Sequence, residues 1–284
     1  MKWKITFRTR IWLIAIPILA SACKNVDSRD ISLLNAVRSE NVQEVRNLIS
    51  RGAKVNALPV LQSAAETGNR EMVQILLDAG ADVNRRDASG NTPISRALIF
   101  EKGDIAKLLL QRGATLYEPE EALIFAILLH DAELVRTLLE KGVRANATGN
   151  GDSALTLVVD ATLYSSGIAQ VLLDHGADPN FAGPNGITPL LAAARHSYAG
   201  SDLGFAELLL ARGADPNVGG KDGTTPLLET VKHTDNYHVV LFSMLLQKGA
   251  NPNARTRSGE TPLSVASDPF FINLLRQAGA KDVR

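Results

Sequence analysis

The sequence predicts an all-α protein, a solenoid of about eight helix-turn-helix units joined by short β-hairpin fingers. Three observations predict this fold. A Gly-Ala or Gly-Val step recurs eight times, a pair of aliphatic residues precedes most of these steps, and four copies of a Thr-Pro-Leu or Thr-Pro-Ile segment lie between them. Regular repetition of this kind is typical of arrays in which each unit buries its apolar face against its neighbours.

The eight Gly-Ala or Gly-Val steps mark the ends of the units. Most follow an aliphatic pair such as Leu76-Leu77, as expected for the buried side of a helix. Glycine ends a helix because it adopts the left-handed backbone conformation at little steric cost. The closing glycines are Gly52, Gly80, Gly113, Gly142, Gly176, Gly213, Gly249 and Gly279.

The Thr-Pro segments mark where the first helix of a unit begins. A threonine hydroxyl caps a helix N-terminus, and proline fits its first turn. Several units carry Asp-Val-Asn or Asp-Pro-Asn and then a glycine-containing turn before this opening, which predicts the finger. The openings are Thr92-Pro93-Ile94, Thr188-Pro189-Leu190, Thr225-Pro226-Leu227 and Thr261-Pro262-Leu263.

Together these motifs resemble the ankyrin repeat, over about residues 31–282. The resemblance implies a curved array with a concave face of fingers and first helices, which binds another protein. The first unit (about 31–53) lacks Thr-Pro, and Asp268-Pro269 shortens the last unit. Atypical end units are expected because their outer faces meet water.

Three units depart from the regular length. The helical halves of units five, six and seven are long, which predicts enlarged helix–helix turns, whereas the finger loops after Gly52 and Gly113 are short. Two interpretations of the tyrosines and histidines in the enlarged turns are open: a contact surface for a partner, or a cover for the longer helix ends. These residues are Tyr164, His196, Tyr198, His233, Tyr237 and His238.

Five basic residues cluster loosely in the last four units: Arg195, Lys221, Lys232, Arg255 and Arg257. They form either an ordinary solvated face or the place where an acidic partner docks. Outside residues 1–22, which hold four bases and no acid, the chain has 30 − 4 = 26 bases against 30 acids. This balance lacks the basic footprint of a nucleic-acid-binding protein.

No catalytic constellation is expected. His233, Asp235 and His238 suggest metal ligands, but no fourth ligand is implied, so a metal- or ligand-binding enzyme is the outside alternative. Glu120-Glu121 lies at a predicted helix start, where the helix dipole favours acids. His130 is expected in a turn and His175 at a helix C-terminus. We expect no cofactor and no metal.

The N-terminus has the layout of a secretory signal peptide over residues 1–22: basic up to Arg10, apolar over 11–19, and small residues at Ala20-Ser21-Ala22. Ordinary signal-peptidase cleavage fits. The segment also resembles a bacterial lipobox, in which Cys23 carries the lipid. Cys23 is the only cysteine in the chain, which favours lipidation.

The predicted organisation is therefore a signal peptide (1–22), a lipid-attachment and linker segment (23–30) and a repeat domain (31–284). Lys24, after the cysteine, implies by resemblance an outer-membrane lipoprotein facing the periplasm; without lipid the protein is soluble in the periplasm. For the function, two hypotheses remain open. One is an inhibitor or immunity-type protein, and the other is a scaffold or protector of a resident periplasmic enzyme.

Overall fold

The computed structural model describes residues 27–160, 166–195 and 203–282. Within these ranges the chain forms sixteen helices in eight consecutive pairs, here called repeats one to eight, and one pair of short strands. The predicted all-α array of eight helix-turn-helix units is thereby confirmed. Residues 1–22 and Cys23 lie outside the described residues.

The chain divides into two compact units, up to Thr115 and from Leu116 onward. The first unit contains α1 (Ser28–Arg38), α2 (Val42–Ser50), α3 (Val60–Thr67), α4 (Arg70–Asp78), α5 (Pro93–Ile99) and α6 (Gly103–Gln111). The second contains α7 (Pro119–Leu128), α8 (Ala132–Glu140), β1 (Thr148–Gly149), β2 (Asp152–Ser153), α9 (Ala154–Asp160), α10 (Ser166–Asp174), α11 (Pro189–Arg195), α12 (Gly204–Ala211), α13 (Pro226–Thr230), α14 (Asn236–Gln247), α15 (Pro262–Val265) and α16 (Pro269–Gln277).

Helix α1 begins at Ser28, inside the segment 23–30 that the sequence analysis assigns to a linker. Asp27 caps it by accepting a hydrogen bond from the Arg29 backbone N–H at 2.9 Å. The last residues of that segment thus form part of repeat one. Among the described residues, no helix combines the length and apolar character needed to span a membrane.

The Thr-Pro openings act as predicted. Thr92, Thr225 and Thr261 each accept a hydrogen bond from the backbone N–H three residues ahead, at 3.2–3.3 Å. Thr188 does the same for the Leu191 N–H at 3.2 Å. Each threonine satisfies one of the backbone donors that a helix start leaves without an internal partner.

All eight closing glycines have a left-handed backbone, with φ between 83° and 89°. In repeat two, the Ala81 N–H donates to the Leu76 carbonyl at 2.9 Å and the Gly80 N–H donates to the Leu77 carbonyl at 3.0 Å. This is the Schellman arrangement, and it explains the recurring Gly-Ala step. The glycine supplies the left-handed turn, while the following alanine or valine folds back onto the helix.

An asparagine four residues after a closing glycine ties five of the repeats to the next one. In the second unit, Asn217 donates to the Gly249 carbonyl at 3.1 Å and accepts from the Asn251 N–H at 2.7 Å. Asn180 and Asn253 make the same pair of bonds, as do Asn56 and Asn84 in the first unit. We call these asparagines the asparagine bridges. Tyr117 stands at the same position in repeat four.

The core of each unit is mainly aliphatic. In the first unit, Leu33, Leu76 and Leu109 are fully buried. In the second, Leu138 and Leu209 are fully buried, and the Phe242 and Phe271 rings meet edge to face at 4.8 Å. Small residues such as Ala193 and Ala194 line the first helices, which allows neighbouring helices to approach closely.

Most of the described fingers lack the paired strands of a regular β-hairpin. Among the described residues, only β1 and β2 pair as strands, with Thr148 opposite Ser153 and Gly149 opposite Asp152. The eighth finger closes instead through turn bonds, from the Thr256 N–H to the Glu260 carbonyl and from the Gly259 N–H to the Thr256 carbonyl, both at 3.0 Å.

In repeat seven, the extra residues lengthen a helix as well as the turn. Helix α14 has 12 residues, whereas α10 and α16 have 9. The enlarged turns of repeats five and six fall largely in 161–165 and 196–202, outside the described residues.

Candidate functional site

The finger tips of repeats five to eight lie side by side in the second unit. We call them the finger row, which comprises residues 149–152, 183–187, 219–224 and 255–260. The Asn185 N–H donates to the Gly151 carbonyl at 2.7 Å, and the Arg257 N–H donates to the Asp222 carbonyl at 2.8 Å. Backbone bonds therefore join the fifth tip to the sixth and the seventh tip to the eighth.

Lys221 joins the sixth tip to the seventh, because its ammonium group donates to the Pro184 carbonyl. Glycine permits this close approach elsewhere in the row. A Cβ on Gly183 would stand 2.5 Å from the Gly151 carbonyl oxygen, and one on Gly223 would stand 3.1 Å from the Arg255 carbonyl oxygen. The row is thus a continuous surface with a fixed backbone.

An open pocket of about 400 Å³ lies between the seventh and eighth fingers. The Asp222 carboxylate beside it accepts hydrogen bonds from the Thr224 N–H at 3.0 Å and the Thr224 hydroxyl at 2.8 Å. These bonds, the backbone one first, hold the pKa of Asp222 below its ordinary value. The pocket is lined by Lys221, Asp222, Thr224, Thr256, Arg257, Ser258 and Glu260.

The five predicted bases differ in what they contact. Arg195 and Lys232 both face the largely buried Glu229 carboxylate, at 3.8 Å and 3.2 Å, and form an ion-pair cluster with it beside α11 and α13. Lys221 is engaged with the sixth finger. By contrast, Arg255 and Arg257 are exposed, and within the described part of the chain neither guanidinium has a hydrogen-bond or ion-pair partner.

The tyrosine and the two histidines of repeat seven contact the protein itself, and His238 is buried. His233, Asp235, Tyr237 and His238 form what we call the turn cluster. The Tyr237 hydroxyl donates to the Ala193 carbonyl at 2.9 Å, and His238 Nε2 lies 3.0 Å from the Ala194 carbonyl. The two side chains therefore satisfy backbone acceptors at the C-terminal end of α11.

The turn cluster is closed around His238, whose side chain is fully buried. Its Nδ1 lies 2.7 Å from the Asp235 carboxylate, and the His233 ring stacks on it at 4.2 Å. This geometry matches the interpretation that the rings cover the longer helix ends. Tyr164, His196 and Tyr198, the other predicted members of this patch, lie outside the described residues.

The histidines are used structurally in the described part of the chain. No group of three or more His, Cys, Asp or Glu side chains there is arranged to hold a metal ion, and both His238 ring nitrogens face protein acceptors. His130 has a left-handed backbone with φ of 56°, as expected for a turn residue. The His175 ring Nδ1 lies 2.8 Å from the Val171 carbonyl, at a helix C-terminus as predicted.

Two features besides the asparagine bridges were not predicted from the sequence. A hydrogen bond with Glu118, followed by partial burial and repulsion from Glu118, raises the pKa of Glu121 to about 7. Val240 and Phe270 are 46% and 44% exposed. They stand nine residues before their closing glycines, where repeats two to four carry Glu71, Asp104 and Glu133. Aligning the repeats would have revealed this second feature.

Comparison with known proteins matches the repeated architecture. A family model described as "Ankyrin repeats (3 copies)" matches residues 33–120, and one described as "Ankyrin repeat" matches residues 185–221 and 222–257. A mitochondrial disaggregase of Bos taurus is 32% identical over 147 residues, which cover 46% of this chain and 21% of that protein.

Two further relatives match shorter stretches. A putative ankyrin repeat-containing protein of Treponema pallidum is 31% identical over 118 residues, 39% of each chain. Protein phosphatase 1 regulatory subunit 27 of Mus musculus is 34% identical over 92 residues, 30% of this chain and 59% of that protein. The chain spans less than two thirds of the length of each of these relatives.

Proposed function

This chain belongs to the ankyrin-repeat family, whose arrays serve as protein–protein interaction modules, and from that premise we propose that it is a non-catalytic binding protein whose partner lies on the finger row. The observation that carries the proposal is the fixed backbone of the row. Finger-to-finger hydrogen bonds hold the tips in place, so little conformational entropy is lost when a partner binds.

The turn cluster is less suited than the finger row to bind the partner. Tyr237 and His238 already use their polar atoms on α11, and His238 is fully buried. A residue that dominates the binding energy must expose side-chain surface that the partner can bury. We therefore assign the contact to the finger row, together with the first helices of repeats five to eight.

Photo-crosslinking tests this assignment. A photoreactive amino acid is placed at Ser258, in the finger row, or at Gln247, on the exposed side of α14, and the full chain is illuminated in an envelope extract. Both residues are exposed. We expect a specific crosslinked protein from the Ser258 position only. A crosslink from Gln247 alone would place the partner at the C-terminal end of α14 instead of on the finger row.

For the location, we propose the bacterial envelope, with Cys23 carrying lipid and the repeats facing the periplasm. The support is the order of basic, apolar and small residues before the only cysteine. Detergent partition of the wild type and Cys23→Ser, expressed in a Gram-negative host, tests it. Equal partition into the aqueous phase and a processed mass without acyl chains would refute the anchor.

For the role, we propose an inhibitor or immunity-type protein, with a scaffold or protector of a resident enzyme as the second candidate. One relative is named as a regulatory subunit of a phosphatase, which supports a partner that is itself an enzyme. The crosslinked protein decides between the two roles. Loss of its activity on binding supports inhibition, and retained activity with a longer lifetime supports protection.

A further inference from the structure

Arg255 and Arg257 form a pair of exposed cations on the eighth finger. Thr256 between them is only 8% exposed, whereas both arginines are exposed. Because exposed and buried side chains alternate over these three residues, both arginine side chains lie on the solvent side of one short segment. Each guanidinium presents a planar fork of donors that matches a carboxylate.

The backbone beneath this arginine pair is held at several points. The Thr256 N–H donates to the Glu260 carbonyl at 3.0 Å, the Glu260 N–H donates to the Thr256 hydroxyl at 3.0 Å, and the Arg257 N–H donates to the seventh finger. Only the side chains need to be ordered when an anion binds. The pair is thus preorganised in position.

The neighbouring acids restrict which anion fits. The Asp222 carboxylate accepts hydrogen bonds from Thr224, and the Glu260 carboxylate accepts one from the Ser258 hydroxyl at 3.2 Å. Both remain negative charges beside the pocket. A dense polyanion such as duplex DNA, with about one charge per 1.7 Å, would bring phosphates against these acids. A segment whose carboxylates are separated by neutral residues avoids them.

We propose that the arginine pair binds an acidic polypeptide segment of the partner, with at least two carboxylates separated by neutral residues. This inference rests on the proposed function, in which the finger row is the contact surface. It also divides the predicted bases by role: Arg195, Lys221 and Lys232 maintain the array, and Arg255 and Arg257 recognise the partner.

A peptide titration with the full chain tests the proposal. The probe is a fluorescein-labelled peptide of alternating glutamate and serine, with glutamine in place of glutamate as the blank, followed by fluorescence anisotropy at low and physiological salt. Arg255→Ala/Arg257→Ala is expected to weaken binding about tenfold or more. The matched control is Arg136→Ala/Lys141→Ala, which removes the same charge from exposed positions of the second unit and should leave affinity within about twofold.

The other outcomes overturn the inference. Equal losses in both double variants would indicate net charge alone, and no loss would remove the arginines from the site. Tighter binding of a duplex oligonucleotide or of phosphatidylglycerol vesicles than of the peptide would assign the pair to a polyanion. If Ser258 crosslinks the partner as efficiently in Arg255→Ala/Arg257→Ala as in the wild type, the acidic-segment inference fails while the proposed function stands.

Discussion

At the scale of single residues, one turn position shows how backbone strain is distributed along the array. Between the two helices of repeats one to four stand Glu40, Gly68, Glu101 and His130, all with positive φ between 55° and 85°. Only one of them is glycine. A side chain in this left-handed region costs about 1 kcal/mol or more, so three repeats carry a small strain that the second does not.

His130→Gly should therefore stabilise the protein. His130 is exposed, and relief of the left-handed strain is partly offset by the extra entropy that glycine loses on folding. We expect the free energy of unfolding to rise by about 0.5–1 kcal/mol, as measured by urea denaturation. The reverse change at the equivalent position, Gly68→Ala, should lower it. Loss of stability in both variants would contradict the strain argument.

Glu121 should make stability depend on pH. Its pKa rises from an ordinary 4.5 to about 7 in the folded chain, first through the hydrogen bond with Glu118. The folded state thus keeps a proton that the unfolded state has released. This contribution is complete below about pH 4.5 and is lost as the pH rises through about 7.

Glu121→Gln, which cannot ionise, isolates that effect. We expect the melting temperature of the wild type to fall relative to that of the variant between pH 5 and pH 8. The amide can still donate to Glu118, so the local contact is retained. A constant difference between the two proteins across this range would show that Glu121 titrates normally when folded.

At the scale of elements, the sequence predicted what depends on local chemistry. Thr92 and Thr225 cap helices because threonine is favoured at the N-cap and proline at the first helical position. The closing glycines could be predicted because glycine is favoured in the left-handed conformation that ends a helix. The asparagine bridges were missed as contacts, since Asn217 reaches a partner more than thirty residues away. The inward orientation of Tyr237 is likewise set by packing between repeats, which a linear pattern does not encode.

The contacts of Tyr237 and His238 with the carbonyl groups at the end of α11 should stabilise the junction of repeats six and seven. Tyr237→Phe removes only the hydroxyl that donates to the Ala193 carbonyl, which we expect to lower the free energy of unfolding by about 1 kcal/mol. His238→Ala also leaves a cavity and should cost about 2 kcal/mol or more. Thermal unfolding of both variants, beside the exposed-residue change Asn236→Ala, measures this. If Tyr237→Phe and Asn236→Ala behave alike, the bond contributes nothing.

At the scale of the whole molecule, stability is a sum of repeat terms and nearest-neighbour terms. The asparagine bridges are one such neighbour term, and they repeat in both units. The candidate site belongs to the same scale. Five bases look equivalent in the sequence, yet contacts with Glu229 and the sixth finger leave two of them for a partner. That division depends on which repeats lie side by side, so it could be obtained only from the folded array.

The contribution of an asparagine bridge to stability can be tested by adding a bridge at Tyr117 as well as by removing an existing one. Tyr117 is 52% exposed and has no amide, so it cannot bridge to Gly142 and Arg144 as Asn217 bridges to Gly249 and Asn251.

Tyr117→Asn should supply both bonds and raise the free energy of unfolding by about 1 kcal/mol, with a sharper urea transition if the second unit becomes more cooperative. Asn217→Ala, which deletes an existing bridge, should lower that free energy by about 1–3 kcal/mol. A destabilised Tyr117→Asn beside a destabilised Asn217→Ala would mean that the tyrosine makes contacts in repeat four that outweigh a bridge.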